Sequence, residues 1–460
     1  MSWRLGELAR NCGGTLLGPA EREVTSVSTD SRALPPGSLF VAIRGESFDG
    51  HDFVPEAARL GAAAVMVGRA PDPSLGVAAI VVSDTVIALG ELARAHRARF
   101  TGPVVAITGS NGKTTTKELC ARVLEASGRR VRRTPGNLNN HIGLPLSILG
   151  LAADDEALVV ELGMNHAGEI DALTRIADPT VGAITNVAPA HLGLLGSLEA
   201  IAAAKGELFA RMRAGATAIV NADDANCVAQ SARFAGRKLR FALRAPADFR
   251  ARVERVENGA ALYTLACPAG ETRIRMSAPG LHLVDDGLCA AAAAHATGLL
   301  GARPLDAIRN GLEGFSGVPG RVALVRTPGG MLVIDDSYNA NPHSVARALE
   351  TLAELRGGGR AIAVLGDMFE LGEGAALLHA DVGRRAATAG VDVLVAVGAL
   401  SANTAAGARS AGLPRVLETD GAEQAAALVR ANARSGDTVL VKGSHGMKLE
   451  RVVKLLAETC

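Results

Sequence analysis

Aromatic side chains make up only 3% of the 460 residues, with a single Trp. That scarcity argues against the stacking platforms that single-stranded nucleic acid requires. An excess of one charge is also missing. Lys and Arg number 48 against 47 Asp and Glu, a formal net charge of +1, so neither a nucleic-acid partner nor an acidic tail is expected. Cysteines are few and scattered, at 12, 120, 227, 267, 289 and 460. None forms C-x-x-C or a zinc-type spacing, which fits a reducing cytoplasm rather than a disulfide scaffold. Long apolar runs are absent too. The stretch from Cys289 to Leu300 contains His295 and Gly298 and is too short to span a bilayer. A buried Ala-rich helix is expected there, and no membrane insertion. The opening residues, MSWRLGELARNCGG, carry early charges and no apolar segment of signal-peptide length, so a cytoplasmic location is expected.

What the chain does have is small apolar residues in short alternating runs. Hydrophobic residues make up 48% and charged residues 21%, the balance of a folded globular protein. The length exceeds one core and calls for several domains. Three segments are legible, with boundaries at 1–98, 99–317 and 318–460. In the first, strand-like runs at Ser38–Ile43, Ala63–Val67 and Ala79–Val82 alternate with helical patterns at Val54–Leu60 and Thr85–Phe100, which reads as a small α/β module. In the second, strand-like runs recur at Ala157–Glu161, Val181–Asn186 and Ala216–Val220 between helical stretches, the signature of a parallel, doubly wound sheet. A β-rich stretch from Phe241 to Met276 reads as a hairpin appendage. In the third, four apolar runs end in polar residues: Asp335-Asp336, Gly366-Asp367, Gly398 and Lys442-Gly443-Ser444. Open parallel sheets bind ligands outside the carboxyl ends of their strands, so these ends are candidate ligand positions.

The strongest local signal is Thr108-Gly109-Ser110-Asn111-Gly112-Lys113-Thr114-Thr115. It follows the apolar run Val104–Ile107 and precedes a helical segment from Lys117 to Ala126. Strand, glycine loop, Lys-Thr and helix make a phosphate cradle, in which backbone N–H groups and a helix N-terminus face an anion. Lys113 would reach the β- and γ-phosphates and the Thr114 hydroxyl would reach Mg²⁺. The loop is shorter than a strict Walker A, with Ile107 where that pattern has Gly.

Four further positions carry candidate chemistry. Glu161 ends a buried-looking strand in the same segment, where a phosphate-loop enzyme places a Mg²⁺-directed carboxylate; a capping or ion-paired Glu is the alternative. Lys205 falls on the apolar stripe formed by Leu198, Ile201, Leu208 and Met212. The pattern alone favours a lysine snorkelling from the stripe's edge; burial would instead lower its pKa and leave an amine able to form a carbamate with CO₂. His191, just past a strand end, could ligate metal, contact phosphate or be structural. Asn137, Asn139 and Asn140 form an amide-dense loop suited to orienting a carboxylate or amide, or a plain turn.

Taken together, these strings resemble the Mur ligases, the ATP-dependent amino-acid-adding enzymes of peptidoglycan synthesis. The resemblance covers essentially the whole chain. It runs through Ser28–Arg32, Phe48–Phe53, the phosphate loop, Gly136–Asn140, Glu161–His166, Ala190–Leu192, Ala204–Glu207, Val318–Arg321, Asp335–Pro342 and Gly366–Met368. The GNLNN and DDSYNANP strings are those of the members that add D-alanyl-D-alanine to UDP-N-acetylmuramoyl-tripeptide, and the Asp-Asn-Pro-Arg motif of the diaminopimelate-adding members is missing. The resemblance implies an α/β protein of three domains: a small UDP-substrate domain, a central P-loop-type parallel-sheet ATPase domain, and a C-terminal Rossmann-like domain. It implies ATP and Mg²⁺ as cofactors, an acyl-phosphate route and a monomer. By the same resemblance, Ser31, Arg32, Phe48 and His51 would hold the UDP end. The loop 108–115, Arg321 and Asp336 would hold the nucleotide. Glu161, His191, Thr114 and a carbamoylated Lys205 would bind metal. Asn139, Asn140, Tyr338 and Asn339 would line the acceptor and dipeptide sites.

Two departures stand out. The family's Pro-Gly-x-His-Asn-x-x-Asn run reads Pro279-Gly280-Leu281-His282-Leu283-Val284-Asp285-Asp286, and its Lys-Gly-Ser-Arg reads Lys442-Gly443-Ser444-His445. Leu283 and Asp286 stand where asparagines are expected, one of them near the adenine. A ligase fold with impaired nucleotide binding is therefore one alternative, a folylpolyglutamate-synthase-like ligase another. A P-loop switch protein is a third, though the chain has no Asn-Lys-x-Asp guanine motif.

Overall fold

A computed structural model describes residues 2–45, 48–189, 192–257, 259–277 and 280–458. Three sheets organise it. The first has five strands in the order 15–17, 78–81, 64–67, 38–41, 26–28. Only the 15–17 edge strand runs antiparallel. Its inner strands, Ser38–Val41 and Ala64–Val67, are buried at every position, as expected where helices or loops cover both faces of parallel strands.

The middle sheet has nine strands, in the order 270–276, 260–267, 249–257, 237–242, 217–221, 181–184, 104–108, 157–161, 131–133. The strand leading into the phosphate loop, Val104–Thr108, lies between Ala157–Glu161 and Val181–Ile184, parallel to both. The stretch from Phe241 to Met276 is not an appendage. Phe249–Glu257 pairs parallel with Arg237–Ala242, and two antiparallel strands follow it in the same sheet. The alternating burial of Gly270–Met276 marks a half-covered edge rather than a separate module.

The third sheet has six strands, in the order 323–326, 332–336, 438–442, 361–366, 393–397, 416–419. All pair parallel except the first. Two of its strands, Ala323–Arg326 and Val416–Thr419, have no counterpart among the sequence-based expectations. Both are edge strands with partly exposed residues, so they lack the continuous apolar run of their neighbours.

Two apolar cores flank the middle sheet. One is shared with the first domain: Leu39, Met66 and Ile80 cluster with Leu92, Val104, Leu158 and Ile201. The other packs the phosphate helix, Lys113–Ala126, against the Ala-rich helix, Leu281–Ala296. That second helix starts eight residues before Cys289, and Ala290 to Ala294 are fully buried. Small side chains let the two helices approach closely, so few aromatics are needed to fill this layer. The stretch 198–212 is two helices, Leu198–Lys205 and Glu207–Arg211, joined at Gly206.

Two of the contacts between the third domain and the middle one are hydrogen bonds. Asn341, which caps the helix Pro342–Leu355, donates from Nδ2 to Asn111 Oδ1 at 2.8 Å. In the other, the Gly193 N–H donates to the Glu370 carbonyl at 2.9 Å. A Cβ on Gly193 would lie 2.6 Å from the Gly372 nitrogen. Among the described residues no helix is long and apolar enough to cross a membrane.

Candidate active site

The phosphate loop is held rigidly by the neighbouring strand end. Ser110 N–H donates to the Asn186 carbonyl at 2.9 Å, and Asn111 N–H to Asn186 Oδ1 at 3.0 Å. Thr185 Oγ1 donates to the Asn111 carbonyl at 2.6 Å. Gly112 starts the helix with φ +79°, and a Cβ there would stand 2.1 Å from Asp286 Oδ1. Conformation and space both demand glycine at this position. Lys113 Nζ curls back onto its own loop, donating to the Gly109 carbonyl at 3.0 Å and the Ser110 carbonyl at 3.4 Å.

Glu161 is 1% exposed, and both its oxygens are engaged. Thr114 Oγ1 donates to Oε2 at 2.6 Å and Asn139 Nδ2 to Oε1 at 2.8 Å. Hydroxyl and carboxylate thus converge beside the loop lysine, the hard-oxygen set that suits Mg²⁺. The capping alternative for Glu161 gains no support, since its partners are the phosphate helix and the asparagine loop. Asn140 turns elsewhere: its Oδ1 accepts from the N–H groups of Ile142 and Gly143 and starts the next short helix.

Lys205 is 2% exposed and lines the same cavity as Lys113 and Glu161. The snorkelling preference is thereby corrected. The helix ends at Lys205, and the cavity lies where the pattern suggested solvent. Burial pushes the amine well below the ordinary lysine range, the Lys113 ammonium adds to the effect, and Cys227 acts in the opposite sense. Lys113 is lowered by burial as well, with Glu161 acting in the opposite sense. His191 lies outside the described residues. Among the described residues no cluster of three His, Cys, Asp or Glu side chains could hold a metal unaided.

The cavity measures about 1260 Å³ and runs from the phosphate loop to the third domain. Arg321, Asp336, Tyr338 and Asn339 line its far wall. The Arg321 guanidinium lies 4.1 Å from the centre of the Tyr338 ring, and the His445 ring is 5.0 Å from the same ring. Asp336 Oδ2 accepts from Lys442 Nζ at 2.6 Å, and the Asn339 carbonyl accepts from that Nζ at 2.8 Å. Burial raises Asp336 despite the neighbouring ammonium.

The two replaced asparagine positions lie in the wall between loop and third domain. Leu283 is buried and lines the cavity. Asp286 packs behind Gly112 and accepts from Thr116 Oγ1 at 3.4 Å. Burial, then the adjacent Asp285, raises its carboxyl well above the usual range, which favours the neutral acid. A raised carboxyl lets Asp286 stand in an asparagine's place at a lower cost in buried charge. Beside it, burial pushes Asp285 up to about 7. His282 is held down at about 4 by burial and then by Arg347, Lys442 and His343. Asn341, His343 and Arg347 were not singled out in the sequence, and Lys442 only as a strand end. The strand-end pattern pointed to Lys442; the other three lie on a helix whose approach to the loop is purely tertiary.

The first-domain candidates stand apart from this cavity. Arg32 Nε and Nη2 donate to the two Asp30 oxygens at 2.9 and 2.8 Å, and Asp30 is lowered to about 2, chiefly by that contact. Ser31 is buried. Phe48 is exposed and meets Phe53 edge-on at 6.5 Å. His51 has both ring nitrogens engaged: Nε2 accepts from Gly68 N–H at 2.8 Å, and Nδ1 lies 2.6 Å from Asp49 Oδ1.

A phosphate cradle and a Rossmann-like domain facing each other across one cavity define a nucleotide-dependent enzyme assembled from three α/β domains. Family models place it further. They match residues 23–97 as the Mur ligase family catalytic domain, 107–294 as the Mur ligase middle domain, and 320–445 as the Mur ligase glutamate ligase domain. The UDP-N-acetylmuramoyl-tripeptide–D-alanyl-D-alanine ligase of Escherichia coli strain K12 is 37% identical over 470 residues, covering 100% of both chains. That of Bacillus subtilis strain 168 is 36% identical, covering 98% of each. The crystal structure of MurF from Acinetobacter baumannii matches with a TM-score of 0.90 at 32% identity, over 100% of this chain and 99% of that one. A Thermotoga maritima MurF ligase in complex with ADP matches at 0.83 and 30% identity, over 95% and 97%. The chain belongs to the Mur ligase family.

Proposed function

We propose that the chain is an ATP-dependent, ADP-forming ligase that joins D-alanyl-D-alanine to UDP-N-acetylmuramoyl-tripeptide, a step in peptidoglycan precursor synthesis. Full-length similarity to ligases of that name supports the substrates. The observation that carries the chemistry is that Lys113, Glu161 and Lys205 line one cavity, with Thr114 hydrogen-bonded to Glu161 and with Arg321 and Asp336 on the far side.

A carboxylate is a poor acyl donor because its oxygen leaves badly. Attack of the tripeptide carboxylate on the γ-phosphate gives an acyl phosphate and releases ADP. Attack of the dipeptide amine then forms the amide and expels phosphate. Carboxylate and triphosphate repel each other, so the site must supply positive charge before they meet. Lys113 would exchange its two carbonyl contacts for phosphate oxygens, aided by the helix N-terminus behind it. Thr114 and Glu161 fit Mg²⁺, which when bound neutralises developing phosphate charge. Lys205 is suited to carbamate formation: its neutral amine adds CO₂ with loss of one proton, giving an anion able to help hold metal. His191 is its proposed companion. Arg321 and Asp336 would contact the nucleotide. Tyr338, Asn339 and Asn139 would line the sites for the dipeptide and the activated carboxyl, with Asn140 shaping the loop. The Asn341–Asn111 contact keeps the third domain over the loop, where exclusion of water protects an acyl phosphate from hydrolysis.

In the first domain, Arg32 would trade Asp30 for the UDP diphosphate, with Ser31 and Phe48 beside it and His51 holding the loop. The enzyme is proposed to act as a monomer. The lack of a membrane-crossing helix among the described residues is in keeping with a cytoplasmic enzyme. A Mycobacterium tuberculosis folylpolyglutamate synthase shares the fold at 17% identity, over 82% of this chain. The test is ADP release with UDP-muramoyl-tripeptide, comparing D-alanyl-D-alanine with single amino acids and glutamate. Turnover should depend on the dipeptide; turnover with glutamate and not with the dipeptide would overturn the reading.

A further inference from the structure

Lys117 is a fully buried lysine that none of the roles above uses. It lies on the phosphate helix one turn beyond Lys113, on the same side of that helix, but its ammonium points at protein. It donates to the Thr134 carbonyl at 2.7 Å and the Gly136 carbonyl at 3.3 Å, and Glu118 Oε1 lies 3.0 Å away. Two carbonyl acceptors and a carboxylate at ion-pair distance offset the cost of burying the amine.

The two carbonyls open the loop that ends in Asn139. Thr134 is itself tied to the strand carrying Glu161: its N–H donates to the Val159 carbonyl at 3.1 Å, and its Oγ1 accepts from Glu161 N–H at 3.1 Å. At the loop's other end, Asn139 Nδ2 holds Glu161 Oε1, and the Asn139 carbonyl accepts from Gly163 N–H at 2.8 Å. The ring closes through Thr114, three residues before Lys117, which holds the other Glu161 oxygen. Helix, loop and acid therefore form one closed circuit, in which Lys117 attaches the loop to the helix beside the Arg133 contacts with Glu118 and Glu125.

We infer that Lys117 is a positioning residue: by fixing the 134–139 loop to the phosphate helix it sets the orientation of the Glu161 carboxylate, and with it the affinity of the site for a divalent cation. This rests on the reading of Glu161 as a metal-directed acid. A group that orients a ligating side chain without touching the metal is worth about 10–100-fold in metal affinity.

The test compares Lys117→Met and Lys117→Gln with the parent and with Glu161→Gln. Mn²⁺ binding in the presence of ADP is read by electron paramagnetic resonance, alongside the Mg²⁺ concentration for half-maximal turnover. Both Lys117 variants should weaken Mn²⁺ binding about 10-fold or more, with kcat recovering at high Mg²⁺ and KM for the UDP-linked substrate unchanged. If Glu161→Gln leaves Mn²⁺ binding intact, the metal reading of Glu161 falls. If Glu161→Gln weakens it and the Lys117 variants do not, the positioning role falls alone. A lowered melting temperature with unchanged metal affinity, or failure of both Lys117 variants to fold, assigns Lys117 to the core and overturns the inference.

Discussion

The phosphate-loop site and the third domain treat buried charge in opposite ways. At that site Lys113 donates only to carbonyls, and Lys205 is shifted by burial and then by that same lysine. In the third domain, Asp336 and Lys442 meet at 2.6 Å, and Arg360 meets Asp437 at 2.7 Å. His379 is likewise bound through both ring nitrogens, Nε2 accepting from Met368 N–H at 2.9 Å and Nδ1 lying 2.7 Å from the Ala375 carbonyl. An unpaired buried cation is costly and persists where a ligand completes it. A paired one holds its surroundings still. The loop site is built to be completed by anions, and the third domain to present a fixed wall to them.

The contrast predicts different failures. The largest is expected from Lys113→Ala, which should lower dipeptide-dependent ADP release by about 10³-fold or more while leaving the melting temperature near that of the parent. Retained turnover would sink the phosphate-loop assignment. Next, Lys442→Met strands Asp336 and should cost about 3–5 kcal/mol in denaturant unfolding, most of it recovered when Asp336→Leu is added. Equal losses in the single and double variants would show the pair to be no frame at all. Lys205→Ala should act on turnover rather than stability, lowering kcat by about 100-fold, with partial rescue by short carboxylic acids that stand in for a carbamate. A fully active Lys205→Ala would remove the carbamate from the scheme.

The smallest effect concerns Asp285. Its ordinary pKa of 3.8 is raised to about 7. Between those values the native state binds the extra proton, so stability falls as pH rises through that window and the loss is complete above about 7. Asp285→Asn should therefore raise the melting temperature at pH 8 by about 2–4 °C and by less at pH 5. An equal rise at both values would mean that the carboxyl is not held neutral.

The phosphate loop and Glu161 were legible in the sequence because each is a local event: a glycine turn between strand and helix, an acid at the end of an apolar run. Lys205 was half legible. Its place on an apolar stripe could be counted, but whether the stripe's edge met water or a cavity depended on strands far away in the chain. The packing of Asp286 against Gly112 and the reach of Asn341 to Asn111 join residues 174 and 230 positions apart, and no periodicity carries such information. The β-rich stretch misled for a related reason. Composition reveals strands, while the choice between appendage and continued sheet is made by pairing partners.

The joint between the middle and third domains at Gly193 has a mechanical consequence. Its contact with Glu370 is backbone to backbone, and the space beside it is closed to any side chain. Water can take over each half of such a bond when it opens, so its net strength is small, about 1 kcal/mol, while its steric tolerance is narrow. A joint of that kind works as a detent: it defines where the third domain stops without resisting its departure. Gly193→Val should leave each domain folded and move the stopping point, and scattering profiles of the full chain would show the two domains settling in a different mutual position.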